Sequence, residues 1–117
     1  MTDERIERDS LGEIAVPAEA YWGAQTHRAI HNSTVSDGTL ARRFVRALGI
    51  VKQAAAQANA ALGTIPDREA EAIQTAAQEV IDGDHDDQFP VDVFQTGPGT
   101  SPNMNANEVI AHRAAEP

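Results

Sequence analysis

Between Thr39 and Gly83 the chain carries two helical repeats interrupted only by Gly63-Thr64-Ile65-Pro66, and that arrangement leaves few folds open. In the first repeat Leu40, Phe44, Leu48, Val51, Ala55, Ala58 and Leu62 recur at spacings of three and four, the period of one helix face. Thr39 is the expected N-cap and Gly63 the stop, which gives a helix of roughly six turns at 3.6 residues per turn. Its alanines, Ala54, Ala55, Ala56, Ala58, Ala60 and Ala61, favour helix and permit close packing. Pro66 and Gly83 bracket the second helix, whose inner side is expected to hold Ala70, Ile73, Ala77, Val80 and Ile81. Two antiparallel helices are therefore the expected core.

Upstream, Ile6, Ile14 and Val16 are the apolar positions of an alternating stretch over 5–16, with Asp9-Ser10-Leu11-Gly12 as its turn, and this predicts a β-hairpin. From Ala18 through His31 the pattern becomes helical, with Trp22, Thr26, Ala29 and Ile30 on one face and Asn32 and Ser33 at the end. After the second long helix, DGDHDDQFPVD over 82–92 reads as a polar loop broken by Pro90, with Val91, Val93 and Phe94 anchoring the next segment. A last helix is expected from Pro102, after a Ser101 cap, to Ala115. The fold class is mainly α with a small N-terminal β-hairpin.

A chain of 117 residues has room for one domain. Eighteen acidic residues against nine basic ones give a formal charge of −9, which argues against a nucleic-acid surface and against anionic lipid. Excess acid serves solubility first, with adaptation to high salt as the other reading. Without cysteine there are no disulfides, thiolate metal sites or cysteine nucleophiles. No apolar run has membrane length, and the charged start MTDERIERDS is not a signal peptide, so the cytoplasm is the expected compartment.

The chemistry concentrates in QTGPGTSPNMNANEVIAHR, residues 95–113, which collects amides, hydroxyls and glycines with little charge. A glycine-rich turn leading into a helix start aims backbone NH groups at one spot, a geometry suited to a carboxylate or phosphate. Gly97 and Gly99 allow close backbone approach, Thr100 and Ser101 add hydroxyls, and Asn103 and Asn107 fall four apart on one face. A capped surface helix solvated by its asparagines fits the same pattern equally well. Asp84, His85, Asp86 and Asp87 are metal-ligand types but lack the positions and glycine of a calcium loop, so a hydrogen-bonded turn is preferred and no metal is expected. His27, His31 and His112 lie on predicted helices without a serine and acid arrangement for nucleophilic catalysis.

The 95–113 segment resembles the first signature region of the class II fumarate hydratases, in the fumarase and aspartase superfamily, where QTGSGT is followed by NMNxNEV and a helix. RIERDSLGEIAVPAEAYWGAQTHRAI resembles the family's opening hairpin and WGAQT helix, and HDDQFPVDVFQTG resembles its approach to the substrate loop. The motifs occur in the family's order from about Arg5 to the end. Class II enzymes are several times longer, so the resemblance implies a fragment: one N-terminal lyase domain over 1–117, lacking the central helical bundle. The family's serine loop, GSSxMPxKxN, and its general-acid histidine have no counterpart here, and the resemblance therefore implies no catalytic residue in this segment.

What the resemblance does carry over is substrate binding. The family's SGT positions, which bind substrate carboxylates, correspond to Pro98, Gly99 and Thr100, with Asn103 and Asn107 in support. Pro98 departs from the family's serine and removes a hydroxyl and an NH. The implied reaction is reversible hydration of fumarate to malate without a cofactor, at sites that three chains of a homotetramer assemble together. Aspartate ammonia-lyase is the nearest enzymatic alternative, although the threonine of QTG favours fumarase over the QGG of aspartases. A non-catalytic acidic helical module is the alternative from another class.

Overall fold

The computed structural model describes residues 3–32, 34–95 and 97–117. Ser33, named above as an end signal, and Thr96 of the QTG motif lie outside the described residues. Strands β1 (Glu4–Asp9) and β2 (Gly12–Pro17) form an antiparallel hairpin, followed by helices α1 (Ala24–Asn32), α2 (Arg42–Ala61), α3 (Asp67–Asp82) and α4 (Thr100–Ala115), with a 3-10 turn at Asp86–Gln88. The architecture is mainly helical with one small hairpin, as the sequence predicts.

In the hairpin Arg5 pairs with Val16 and Glu7 with Ile14, so those four side chains share a face. Val16 is buried, whereas Ile6, opposite Ala15, points to the other side and is 64% exposed. Of the three apolar positions named in the sequence, Ile6 therefore does not join Ile14 and Val16 on the inner face, since side chains alternate with a strict period of two. Arg5 takes the inward place. Its guanidinium donates to the carbonyl oxygens of Pro17 (2.9 Å), Ala18 (3.0 Å), Ala20 (2.6 Å) and Trp22 (2.8 Å).

Those bonds also explain why α1 starts at Ala24 and not at Ala18. Three of the carbonyls that a helix over 18–23 would need are turned to Arg5. Further on, α2 begins at Arg42 with Ala41 as its N-cap, and Thr39 instead bridges Asp92.

Helices α2 and α3 run antiparallel, as Arg42 against Ile81, Gly49 against Ala77 and Gln53 against Gln74 demonstrate. The inward face keeps only part of the expected stripe: Leu48, with Leu40 just before α2, packs against the core. Val45, Gly49 and Ala56 are buried, while Phe44, Val51 and Leu62 are 44%, 60% and 80% exposed. Close approach selects the small residues: a Cβ on Gly49 would lie 2.9 Å from Ile81 Cγ1 and 3.2 Å from the Ala77 carbonyl oxygen. On α3 the expected Ala70, Ala77 and Val80 are buried together with Ala76, and Gly83 ends the helix with φ 91° in the left-handed region.

One core cluster joins Val45 of α2, Ala76, Ala77 and Val80 of α3, Phe89 of the connecting loop, and Ala106, Val109 and Ile110 of α4. Val91 is buried as expected, but Val93 and Phe94 are 48% and 61% exposed. Between them the buried Asp92 faces inward, its carboxylate accepting from the backbone NH of Ser36 (2.5 Å), the Ser36 hydroxyl (3.0 Å) and the Phe94 NH (2.8 Å). The NH groups of Phe94 and Ser36 hold this carboxyl below the usual carboxylate range. Packing α4 across the α2–α3 pair brings the 97–100 bend to the surface.

Candidate functional site

Gly97 and Gly99 both adopt positive φ, 91° and 79°. A Cβ at either would meet nothing within 4 Å, so backbone conformation and not crowding requires glycine here. Gly99 is the N-cap of α4, and among the described residues no side chain caps that end. The helix therefore begins at Thr100, two residues before the expected Pro102, and Ser101 lies inside it and is not the cap. Left-handed Gly99 turns the chain into the helix early, and Pro102 is tolerated in the first turn because its missing NH would have had no partner there. The first hydrogen-bonded turn closes when the NH of Asn103 donates to the Gly99 carbonyl at 3.1 Å.

Pro98 and Thr100 are exposed and Gly99 is half-buried, so this bend faces solvent. It borders an open depression of about 490 Å³ whose walls include Gln95 and Ser101 on one side and Asp9 and Arg28 on the other. Arg28 holds Asp9 with two bonds, Nε to Oδ2 at 2.9 Å and Nη2 to Oδ1 at 3.1 Å. The Arg28 guanidinium keeps the Asp9 carboxyl below its ordinary value. Asn103 is half-buried and its Oδ1 accepts from Lys52 Nζ at 2.5 Å, while Asn107 is exposed along the groove that Lys52 also lines.

Behind the bend, the conspicuous motifs of the chain dock on one another. Glu108 reaches from α4 to the start of α1, where its Oε1 accepts from the Thr26 NH at 2.8 Å and its Oε2 from the Gln25 NH at 3.2 Å. A carboxylate at those amides does for α1 what an N-cap side chain would do locally. Asn105 is fully buried and donates through Nδ2 to the Gln88 carbonyl at 2.8 Å. Gln88 in turn accepts the Tyr21 NH on its side-chain oxygen at 2.7 Å.

The four histidines have structural partners. Trp22 Nε1 donates to His27 Nδ1 at 3.3 Å, and the Nε2 atoms of His27 and His31 lie 3.2 Å apart. His85 Nε2 contacts Glu79 at 2.7 Å, and His112 Nδ1 lies 3.4 Å from Arg5. Asp86 pairs with Arg42 at 3.1 Å, so the 84–87 stretch is tied into the fold, and no group of three or more potential metal ligands converges among the described residues. Arg5, Lys52, Asn105 and Glu108 are residues that sequence reasoning passed over. Lys52 had one signal to offer: it is the only lysine of the chain.

A family model described as Lyase matches residues 12–117. The chain belongs to this lyase family. Among its relatives, the class II fumarate hydratase of Halobacterium salinarum is 70% identical over 97% of this chain and 24% of its own length. That of Thermus thermophilus is 53% identical over 96% of the chain and 24% of its own length. The crystal structure of class II fumarase from Schistosoma mansoni superposes with a TM-score of 0.95 at 44% identity, covering 97% of this lyase chain and 24% of the other. The native form of a fumarate lyase:delta crystallin from Brucella melitensis gives 0.91 at 52% identity, covering 96% and 26%. The lyase chain thus spans about a quarter of the length of the relatives it matches, and the resemblance read from its motifs holds.

Proposed function

We propose that this chain is the N-terminal part of a fumarate hydratase, which adds water reversibly to fumarate to give L-malate, and that the 97–100 bend binds a substrate carboxylate. One observation carries the reading: α4 opens at an exposed, doubly left-handed glycine bend that no described side chain caps, and the chain around it is 70% identical to the first quarter of a class II fumarate hydratase. The amides at the start of α4 and the Thr100 hydroxyl are donors without a helical obligation, so they are free to meet an anion.

In the dehydration direction a base removes a proton from the carbon beside a carboxylate, and the electron pair moves onto that carboxylate before hydroxide leaves the neighbouring carbon on the opposite face. Charge grows on the carboxylate oxygens, and preorganised NH and OH donors around them lower the barrier. Gly99 and Thr100 supply donors, and Asn103 and Asn107 support the helix face behind them. Pro98 supplies none. The base and acid are assigned to the parts of the enzyme beyond this quarter, no cofactor is invoked, and the working form is a cytoplasmic homotetramer whose sites several chains share.

Full-length protein incubated with fumarate should form malate. Ammonia release from aspartate without hydration would replace the reading with aspartate ammonia-lyase, and neither activity would leave a non-catalytic module. Thr100→Ala should raise KM or lower kcat about tenfold or more, the cost of a lost hydrogen bond to a charged ligand. Unchanged kinetics would remove Thr100 from the site.

A further inference from the structure

Lys52 continues the inward stripe of α2 at the edge of an open groove. It follows Val45 and Gly49 and precedes Ala56 on the inward face, at spacings of three and four residues. It is half-buried, makes no ion pair among the described residues, and has one polar partner there, Asn103 Oδ1 at 2.5 Å. Glu69 lines the same groove without pairing with it. The ammonium thus touches the first turns of α4 at Asn103, four residues into the helix from its Gly99 N-cap. The helix dipole opposes a cation at that end. A cation beside that turn gains attraction when an anion occupies the helix start.

We infer that Lys52 is a positioning residue of the carboxylate site: through Asn103 it holds the first turn of α4 in register, and its charge favours a doubly anionic substrate at the 97–100 bend. The mechanical link is continuous, since Asn103 takes Lys52 on its side chain and gives its own NH to Gly99. The inference rests on the proposed fumarate reading for the identity of the anion, but the coupling of Lys52 to the turn does not.

The test uses full-length protein with Lys52→Gln, which keeps a donor for Asn103 and loses the charge, Lys52→Met, which loses both, and Lys52→Arg, which keeps both. Lys52→Gln should raise KM for fumarate about tenfold with kcat within about twofold, as removal of uniform charge binding requires. Its kcat/KM should also depend less on salt than that of the parent, while Lys52→Arg stays near the parent on both counts. Lys52→Met should add faster amide exchange at Asn103. If fumarate is hydrated and Lys52→Gln leaves KM and its salt dependence unchanged, the inference is overturned while the function stands. If fumarate is not hydrated, the function falls, and Asn103 exchange decides the coupling: no change in Lys52→Met overturns it. Should Lys52→Met fail to fold, Lys52→Ala takes its place for Asn103 exchange, and the comparison of Gln with Arg in KM decides the charge.

Discussion

A Cβ built on Gly23 would lie 2.5 Å from Oε2 of Glu108, so the glycine of the WGAQT motif and the glutamate of the NEV motif occupy mutually exclusive space beyond what they now share. The carboxylate has no cheap way to retreat, because both its oxygens are bound to amides at the start of α1. Glu108→Ala should therefore destabilise the protein by about 1–3 kcal/mol, the cost of leaving those donors without their charged acceptor. Gly23→Ala should cost a similar amount by displacing the same carboxylate. Because the two losses are one loss, the double variant should fall well short of their sum in a denaturant titration.

Between α2 and α3 the backbones are too close for side-chain growth. Gly49→Ala places its methyl 2.9 Å from Ile81 Cγ1 and 3.2 Å from a carbonyl oxygen of Ala77. Despite alanine's better helix propensity, overpacking should win and lower stability by about 1–3 kcal/mol. A thermal melt at or above the parent midpoint would contradict the close packing.

Pro98 invites a gain-of-function test. Pro98→Ser restores an NH and a hydroxyl to the bend, and in full-length protein it should lower KM for fumarate by about tenfold to a hundredfold if both reach the carboxylate. Gly97 and Gly99 hold positive φ on either side of Pro98. An unaltered KM would place the substrate elsewhere.

Trp22 offers an internal pH probe, being the only tryptophan. Its indole NH can only donate, so His27 accepts on an unprotonated Nδ1. Burial, and then the neighbouring His31, push the His27 pKa below its ordinary 6.5. A base with a depressed folded pKa favours the neutral state. Its contribution is complete above 6.5 and declines as pH falls below that value. Trp22 fluorescence should titrate at a pH below 6.5, and His27→Gln should abolish that step.

Glu79 sits between His85 and Arg113, which it contacts at 2.7 Å and 2.9 Å. Burial alone would raise its pKa, but hydrogen bonds from His85 and Arg113 outweigh burial and hold it below the ordinary 4.5. The carboxylate therefore stabilises the fold above 4.5, and that contribution drains away as pH falls from 4.5 through the lower folded value. Glu79→Gln should flatten the acid limb of the stability profile in this range, measured by urea midpoints. An acid limb identical to the parent's would assign the loss to other carboxylates.

The hairpin, four helices and family resemblance were legible because they rest on local signals: the period of Ala70, Ala77 and Val80, the stop at Gly83, and contiguous strings such as WGAQT and NMNANEV. The glycines of the bend were legible too, since Gly97 and Gly99 do adopt the left-handed conformation that glycine alone takes without cost. The inward face of α2 was legible only in part, through Leu48. A sequence offers Phe44, Val51 and Leu62 as the larger apolar stripe, and only the approach of α3 decides that Gly49 and Ala56 face the core while those three face out. The same holds for Arg5, which displaces Ile6 from the inner face of the hairpin, and for Lys52 and Glu108, whose partners lie 51 and 82 residues away in the chain. Local propensity and spacing act within a few residues and so belong to the sequence; register, facing and the partners of buried charges are settled by segments far apart in the chain, and come into being only when the helices pack.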